Sequence, residues 1–179
     1  MHLPLVIHAP PNYRPGEDVF EVYCDSSHGN APDGLSYGGF LMAHKGGGVI
    51  AWKCRAQAIA SDSPGAQELL LASLACRWTL ALRMLLTDLD LGVGPLGPTT
   101  LWTDSQILLD GTHCEKLSKS SRWLATRYAM IRFGIACGAI KPTKCPAEDN
   151  LSDILTKAIT GARFEKLRAA VLGLAHARR

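Results

Sequence analysis

Several common chemical signatures are absent from this sequence of 179 residues. The six cysteines are scattered, with no C-x-x-C pair and no histidine and cysteine spacing of the zinc-finger type. We therefore expect reduced thiols in an intracellular protein and no structural zinc site. No convincing set of serine, histidine and aspartate marks a side-chain nucleophile. The amino-terminal apolar run is short and broken by Pro4, which argues against a secretory signal peptide.

Long uninterrupted apolar runs are missing as well. The most apolar segment, residues 69–86, contains Arg77 and Arg83, which favours a buried helix over a membrane span, so we expect no membrane partner. Apolar residues make up 47% and charged residues 20% of the chain, as in globular proteins, and the length fits one compact domain. The net charge of +3 is mildly basic and compatible with a nucleic-acid partner.

The residue pattern predicts an α/β protein in three parts. Residues 1–18, rich in proline, are interpreted as a leader or linker, residues 19–160 as the folded domain, and residues 161–179 as a terminal helix with a basic tail. Predicted strands cover 19–27, two segments within 35–57, 99–103 and 139–146. Predicted helices cover 64–88, 105–109, 118–137, 148–159 and 163–175. This order implies a five-stranded mixed sheet, with three antiparallel strands and then two parallel ones, and helices on both faces.

Four carboxylates stand at or near the ends of predicted elements: Asp25, Glu68, Asp104 and Asp153. Each alone has an ordinary interpretation, as a turn acid, a helix-dipole partner, an N-cap and a helix-start charge, respectively. In an open α/β sheet, however, ligand groups gather where strands end and helices begin. Four acids meeting there would repel one another unless a cation bound them. Oxygen ligands of this kind favour Mg²⁺ or Mn²⁺.

Several motifs resemble the ribonuclease H domain of copia-type LTR retrotransposons, within the ribonuclease H-like superfamily. They are E-D-N-L-S-D-I-L-T-K at 148–157, V-I-A-W-K-C-R-A-Q at 49–57, A-Q-E-L-L-L-A-S at 66–73, L-W-T-D-S-Q-I-L-L at 101–109 and R-Y-A-M-I-R at 127–132. The family's first motif, D-A-D-W-A-G, is replaced here by D-S-S-H-G-N after Cys24. The four acids nevertheless occur in the family's order.

The resemblance implies a ribonuclease H-like fold and hydrolysis of the RNA strand of an RNA–DNA hybrid. It implies two Mg²⁺ ions, for which Mn²⁺ can substitute. Asp25 would bridge the ions, Glu68 and Asp104 would hold one, and Asp153 the other. It also implies a reverse transcriptase domain preceding this one in a polyprotein, and a location in cytoplasmic virus-like particles or in the nucleus.

Contacts to nucleic acid are expected from a basic segment and several polar side chains. Residues 116–132 contain five basic residues and no acid, which suits a phosphate backbone, although a solvated helix face is the ordinary alternative. Trp123 is able to stack on a sugar or base, but its helical spacing favours a position in the core. Some ribonucleases H use a histidine before the last acid as a proton shuttle. That loop has none here, which leaves Glu148 or Asp149, although N-capping of the terminal helix is the ordinary role for Asp149 or Asn150. The candidate contact residues are Ser26, Ser27, Asn30, Ser105, Gln106, Lys119, Arg122 and Arg127.

Two other functions are compatible with the sequence. A domesticated module with this fold would bind hybrid, structured RNA or a protein partner without cutting, and the altered first motif motivates that alternative. DDE transposases and some exonucleases share this type of sheet. The acid order Asp–Glu–Asp–Asp, with the glutamate in the first helix, argues against a transposase.

Overall fold

Five strands form one mixed sheet in the computed structural model, which describes residues 20–27, 36–45, 47–56, 63–89, 97–113 and 122–174. The strands are β1 (Phe20–Ser26), β2 (Tyr37–His44), β3 (Val49–Ala56), β4 (Thr99–Thr103) and β5 (Ile140–Lys144). They lie in the order β3-β2-β1-β4-β5. The first three are antiparallel, and β4 runs parallel to both β1 and β5, so the predicted sheet is confirmed. The predicted leader, residues 1–18, lies outside the described residues.

Helices cover both faces of this sheet, as predicted. They are α1 (Pro64–Asp88), α2 (Gln106–His113), α3 (Ala125–Ala136), α4 (Asp153–Thr156) and α5 (Gly161–Val171), with 3₁₀ turns at Arg122–Leu124 and Ala147–Asp149. Ser63 precedes α1 in an extended conformation and Pro64 occupies its first position, where the missing N–H of proline is harmless. The helix predicted at 118–137 is a 3₁₀ turn followed by α3 within the described residues.

The helix predicted at residues 148–159 is wrong over most of its length. α4 has only four residues, and the backbone of Asn150 before it is extended, with φ −70° and ψ 105°. The Asn150 side chain is fully buried and donates from Nδ2 to the main-chain carbonyl of Cys24 at 3.2 Å. Its Oδ1 accepts hydrogen bonds from the main-chain N–H and the hydroxyl of Ser152. Because these bonds hold Asn150 against β1, a helix cannot continue through it.

The apolar core has a larger and a smaller part, one on each face of the sheet. Alternate residues of β1, Val22 and Cys24, pack with α1, in which Leu69 is fully buried. On the other face Leu41 of β2 packs with Leu155 of α4.

Among the described helices, only α1 is long and apolar enough to cross a membrane by length and composition. In this fold Leu69, Ala72 and Ala75 of α1 are fully buried in the core. Trp78, Met84 and Leu85, nearer its carboxyl end, are exposed.

Gly39 allows α4 to lie unusually close to the sheet. It pairs with Asp25 across the β1–β2 ladder. A Cβ at this position would lie 2.7 Å from Cβ of Leu155 and 3.2 Å from Cγ2 of Thr156. Real Cβ atoms essentially never approach so closely, so any larger residue here would force α4 away from β2 and from Asp25.

Within the described residues the sheet ends at β5, which contains Pro142. Its ladder with β4 runs without a break from the pair Thr99 and Ile140 to the pair Thr103 and Lys144. Proline has no N–H to donate and is therefore found on edge strands with its nitrogen turned away from the neighbouring strand.

Candidate metal centre

Two parallel strands bring Asp25 and Asp104 together at one end of the sheet. Asp25 is the penultimate residue of β1, and Asp104 directly follows β4. Because Tyr23 of β1 pairs with Trp102 of β4, the same register continued by two residues sets the two acids side by side. Asp153, the first residue of α4, completes the group. One carboxylate oxygen from each of the three aspartates lies within 4.8 Å of the other two.

Glu68 joins these aspartates from α1. Burial raises the pKa of its carboxyl to about 8, aided by the negative charges of Asp104 and Asp25. The Lys157 ammonium and a hydrogen bond from Ser105 act in the opposite direction. Burial also raises the pKa of Asp25. The structure therefore groups Asp25, Asp104 and Asp153, and Glu68 lies near enough to Asp104 and Asp25 for their charges to raise its pKa.

Asp25 and Asp153 are both buried, and both are paired. Lys157 Nζ lies 2.8 Å from Oδ1 of Asp153 and 3.3 Å from Oδ1 of Asp25. Thr156 donates its hydroxyl hydrogen to Oδ2 of Asp25, and Arg163 of α5 pairs with Oδ2 of Asp153. The two aspartates are only 2% and 1% exposed, where an unpaired charge would be strongly destabilising. These cations hold the two carboxylates in place.

The carboxylate of Asp104 differs from those of Asp25 and Asp153 in its hydrogen-bond partners. Its Oδ1 is buried and has no hydrogen-bond partner within the described part of the chain. The nearby Lys144 ammonium donates to the main-chain carbonyl of Asp104, at 2.5 Å. A buried carboxylate oxygen without a partner is costly, and a cation beside it removes that cost. We call Asp25, Glu68, Asp104 and Asp153 together the acid group. Since every ligand atom that their side chains offer is an oxygen, the site fits a hard divalent ion such as Mg²⁺ or Mn²⁺.

The raised pKa of Glu68 predicts a pH-dependent stability. Folded protein retains this proton up to about pH 8, whereas the unfolded chain loses it near 4.5. In the absence of divalent metal, this stabilising contribution is full below pH 4.5 and is lost as the pH rises to about 8. Thermal unfolding across that range should show a smaller decline in Tm for Glu68→Gln than for the unchanged protein. Equal declines would contradict the assignment.

The predicted nucleic-acid contacts on the strand side are only partly accessible. Ser26 ends β1 beside the acids. Ser27 is 3% exposed, and its hydroxyl accepts from the main-chain N–H of Tyr37 and donates to the carbonyl of the same residue. Its side chain therefore joins the ends of β1 and β2. Ser105 Oγ accepts from the N–H of Leu108 and so caps α2, as an N-cap does.

The remaining predicted contacts lie on or near α2 and α3. Gln106 is exposed and donates to Asp110 at 2.8 Å. Arg122 is exposed in the 3₁₀ turn before α3, and Arg127 is half-buried in α3. Trp123 is 51% exposed, so its predicted core position is wrong. Asn30 and Lys119 lie outside the described residues.

The two proton-shuttle candidates lie on the turn before α4. Glu148 is exposed, and Asp149 pairs with Lys166 of α5 at 2.5 Å. Their proposed role stays a prediction.

Three residues that contact the acids were not anticipated: Thr156, Lys157 and Arg163. The spacing of Asp153 and Lys157, four residues apart, is a signal that could have indicated their ion pair, because such residues are neighbours on a helix. Arg163 belongs to another helix and has no local signal linking it to Asp153. The pairing follows only from the way α5 packs against α4.

No protein-family model matches this sequence. Solved structures share its fold. An RNase H1 from the halophilic archaeon Halobacterium salinarum has a TM-score of 0.54 and 16% identity, covering 79% of this chain and 95% of that one. LC11-RNase H1, isolated from compost and solved in complex with an RNA/DNA hybrid, has a TM-score of 0.55 and 15% identity, covering 76% and 93%. A foamy viral protease-reverse transcriptase in complex with an RNA/DNA hybrid has a TM-score of 0.55 and 14% identity, covering 82% and 20%.

These similarities, together with the strand order, define the class: the chain has a ribonuclease H-like fold. At identities of 14% to 16% the similarity concerns the fold alone. The chemistry has to be inferred from the acids that this particular chain brings together.

Proposed function

We propose that this protein is a ribonuclease H that uses divalent metal ions to hydrolyse the RNA strand of RNA–DNA hybrids. The main support is the convergence of Asp25, Asp104 and Asp153, with Glu68 beside them, where parallel strands end. Two proteins of similar fold were solved with an RNA/DNA hybrid, which suggests the substrate class.

Together the four acids would bind two Mg²⁺ ions. As the family resemblance implies, Asp25 would contact both ions, Glu68 and Asp104 would hold one, and Asp153 the other. When bound, such ions activate water and stabilise the leaving oxygen. Hydrolysis adds water across the bond between phosphorus and the 3′ oxygen, which leaves a 3′-hydroxyl and a 5′-phosphate. Burial of Asp25 and Asp153 strengthens their electrostatic effect because little water screens them.

We further propose that hybrid binds across the helices next to this site. Arg122 and Arg127 supply positive charge for the phosphate backbone, and exposed Trp123 offers a surface on which a sugar or base stacks. Ser105 and Gln106, at the start of α2, lie directly after Asp104. RNA–DNA hybrids are recognised by groove shape and 2′-hydroxyls, which polar side chains at this position can contact.

The biological setting is also a proposal. The motif E-D-N-L-S-D-I-L-T-K supports a copia-type retrotransposon origin, with a reverse transcriptase domain on the amino-terminal side and a location in cytoplasmic virus-like particles or in the nucleus. Under this proposal residues 1–18 link the two domains, and residues 19–160 contain all four acids. α5, in the segment 161–179, supplies Arg163 to Asp153.

Cleavage of a labelled hybrid tests the proposed function. With Mg²⁺ or Mn²⁺, the protein should cut the RNA of a hybrid into products with 5′-phosphates and leave the DNA strand intact. The same RNA as a single strand and a DNA duplex of the same sequence should be cut much more slowly, and EDTA should stop the reaction.

Other products would point to the alternatives. Binding of the hybrid without any product, in either metal, would support a non-cleaving module. Preferential cleavage of the DNA duplex would instead support a nuclease related to transposases or exonucleases.

A further inference from the structure

The oxygens of the acid group are partnered very unevenly. Both oxygens of Asp153 face cations, with Lys157 at 2.8 Å from Oδ1 and Arg163 paired with Oδ2. Both oxygens of Asp25 have donors, from Lys157 and Thr156. Oδ1 of Asp104, in contrast, has no partner within the described residues. The acid group thus has one side neutralised by the chain's own cations and one side that is not.

We propose that Lys157 sets the order in which divalent ions bind. A first ion binds at Glu68 and Asp104. Binding of an ion at Asp153, and full contact of Asp25 with the ions, require the Lys157 ammonium to leave these two carboxylates. This inference rests on the proposed function, because it assumes that the acids hold metal.

The charges at each carboxylate support this order. At Asp153 one negative charge faces two positive ones, one of which is shared with Asp25, so an approaching divalent cation is repelled at least as much as it is attracted. At Asp104 the adjacent carboxylates add negative charge, and Lys144 is bonded to the main chain. Electrostatics therefore favour the Asp104 side for the first ion.

The two cations differ in what else they bind, since their exposures are nearly the same, 36% for Lys157 and 38% for Arg163. Within the described residues, both partners of the Lys157 ammonium are carboxylates that would hold the ions, Asp153 and Asp25. Arg163, in contrast, also donates to the main-chain carbonyl of Ala147 at 2.8 Å, a bond outside the carboxylates that a divalent ion does not replace. Displacing Arg163 would break this second bond. Lys157 is consequently the cation that a divalent ion displaces from Asp153.

Titration of the full chain with Mn²⁺, without nucleic acid, tests the order. Electron paramagnetic resonance of free Mn²⁺ should show one tight and one weaker ion per chain for the unchanged protein. Lys157→Met keeps the aliphatic stem and removes the charge, so the weaker ion should bind at least about tenfold more tightly. Lys157→Arg keeps the charge and should retain two steps.

A matched control is available on α5. Lys166 also pairs with an aspartate, Asp149, but outside the acid group, and Lys166→Met should leave both Mn²⁺ affinities unchanged. The Tm of Lys157→Met should be lower than that of the unchanged protein in EDTA and should rise more on addition of Mn²⁺, since the ion then replaces the lost cation.

The outcomes separate this inference from the proposed function. If the unchanged protein binds two ions equally well, or if Lys157→Met titrates like it, Lys157 does not set the order, although the metal centre stands. If no form of the protein binds Mn²⁺, the metal centre itself is wrong, and the inference falls with it.

Discussion

Replacement of Asp104 by asparagine is expected to slow cleavage of hybrid RNA by at least about a thousandfold, equivalent to about 4 kcal/mol of transition-state stabilisation. The amide has nearly the same volume but no charge, so it cannot neutralise a divalent ion. Single-turnover cleavage at saturating Mg²⁺ would measure the loss.

The same substitution should leave the fold intact. Oδ1 of Asp104 has no hydrogen-bond partner within the described residues, so no such bond is lost at that atom. Removing its charge also relieves repulsion of Glu68, and Tm should stay constant or rise slightly. Asp88→Asn, the same change at the exposed carboxyl end of α1, is the matched control and should retain full activity. Rapid turnover by Asp104→Asn would remove Asp104 from the metal centre.

Gly39→Ala is the second substitution with a large expected effect. Its Cβ would meet Cβ of Leu155 at 2.7 Å, and that atom is fixed to the helix backbone, so α4 has to move away from β2. Overpacking of this kind costs about 1–3 kcal/mol of stability. α4 carries Asp153 and is followed by Lys157, so the displacement should also weaken Mn²⁺ binding. Chemical denaturation and Mn²⁺ titration would measure the two effects.

Gly65→Ala provides the matched control. A Cβ at Gly65 would lie 2.8 Å from Cγ2 and 3.3 Å from Cβ of Ile107, so Ile107, which is 60% exposed, has to shift outward by a few tenths of an ångström. Alanine in place of glycine within a helix stabilises by up to about 1 kcal/mol, which offsets part of this cost, so Gly65→Ala should lose less stability than Gly39→Ala. If both variants lost stability equally, the close approach of α4 would not explain the effect at Gly39.

Strands and the order of the acids were predictable because their signals are local. Alternating apolar residues in β1 and the β-branched run of β4 indicate strands, and parallel pairing of these strands brings Asp25 and Asp104 together. The four-residue α4 was not predictable from its own segment. Its pattern favours a longer helix, and the bond from Asn150 to the carbonyl of Cys24 joins residues far apart in sequence.

Side-chain partners show the same division between local and distant signals. Lys157 could have been paired with Asp153 from spacing alone, whereas Arg163 could not. Ser27 was predicted to contact nucleic acid. Its burial depends on the hairpin that joins β1 to β2, where its hydroxyl bonds to Tyr37.

Pro142 has a consequence for association between molecules. A sheet edge with regularly spaced donors and acceptors can recruit a strand from another chain and so begin aggregation. In β5 the nitrogen turned away from β4 belongs to a proline, so an incoming strand would find one donor missing in the middle of the edge. The outermost strand beside Asp104 is thereby discouraged from intermolecular pairing.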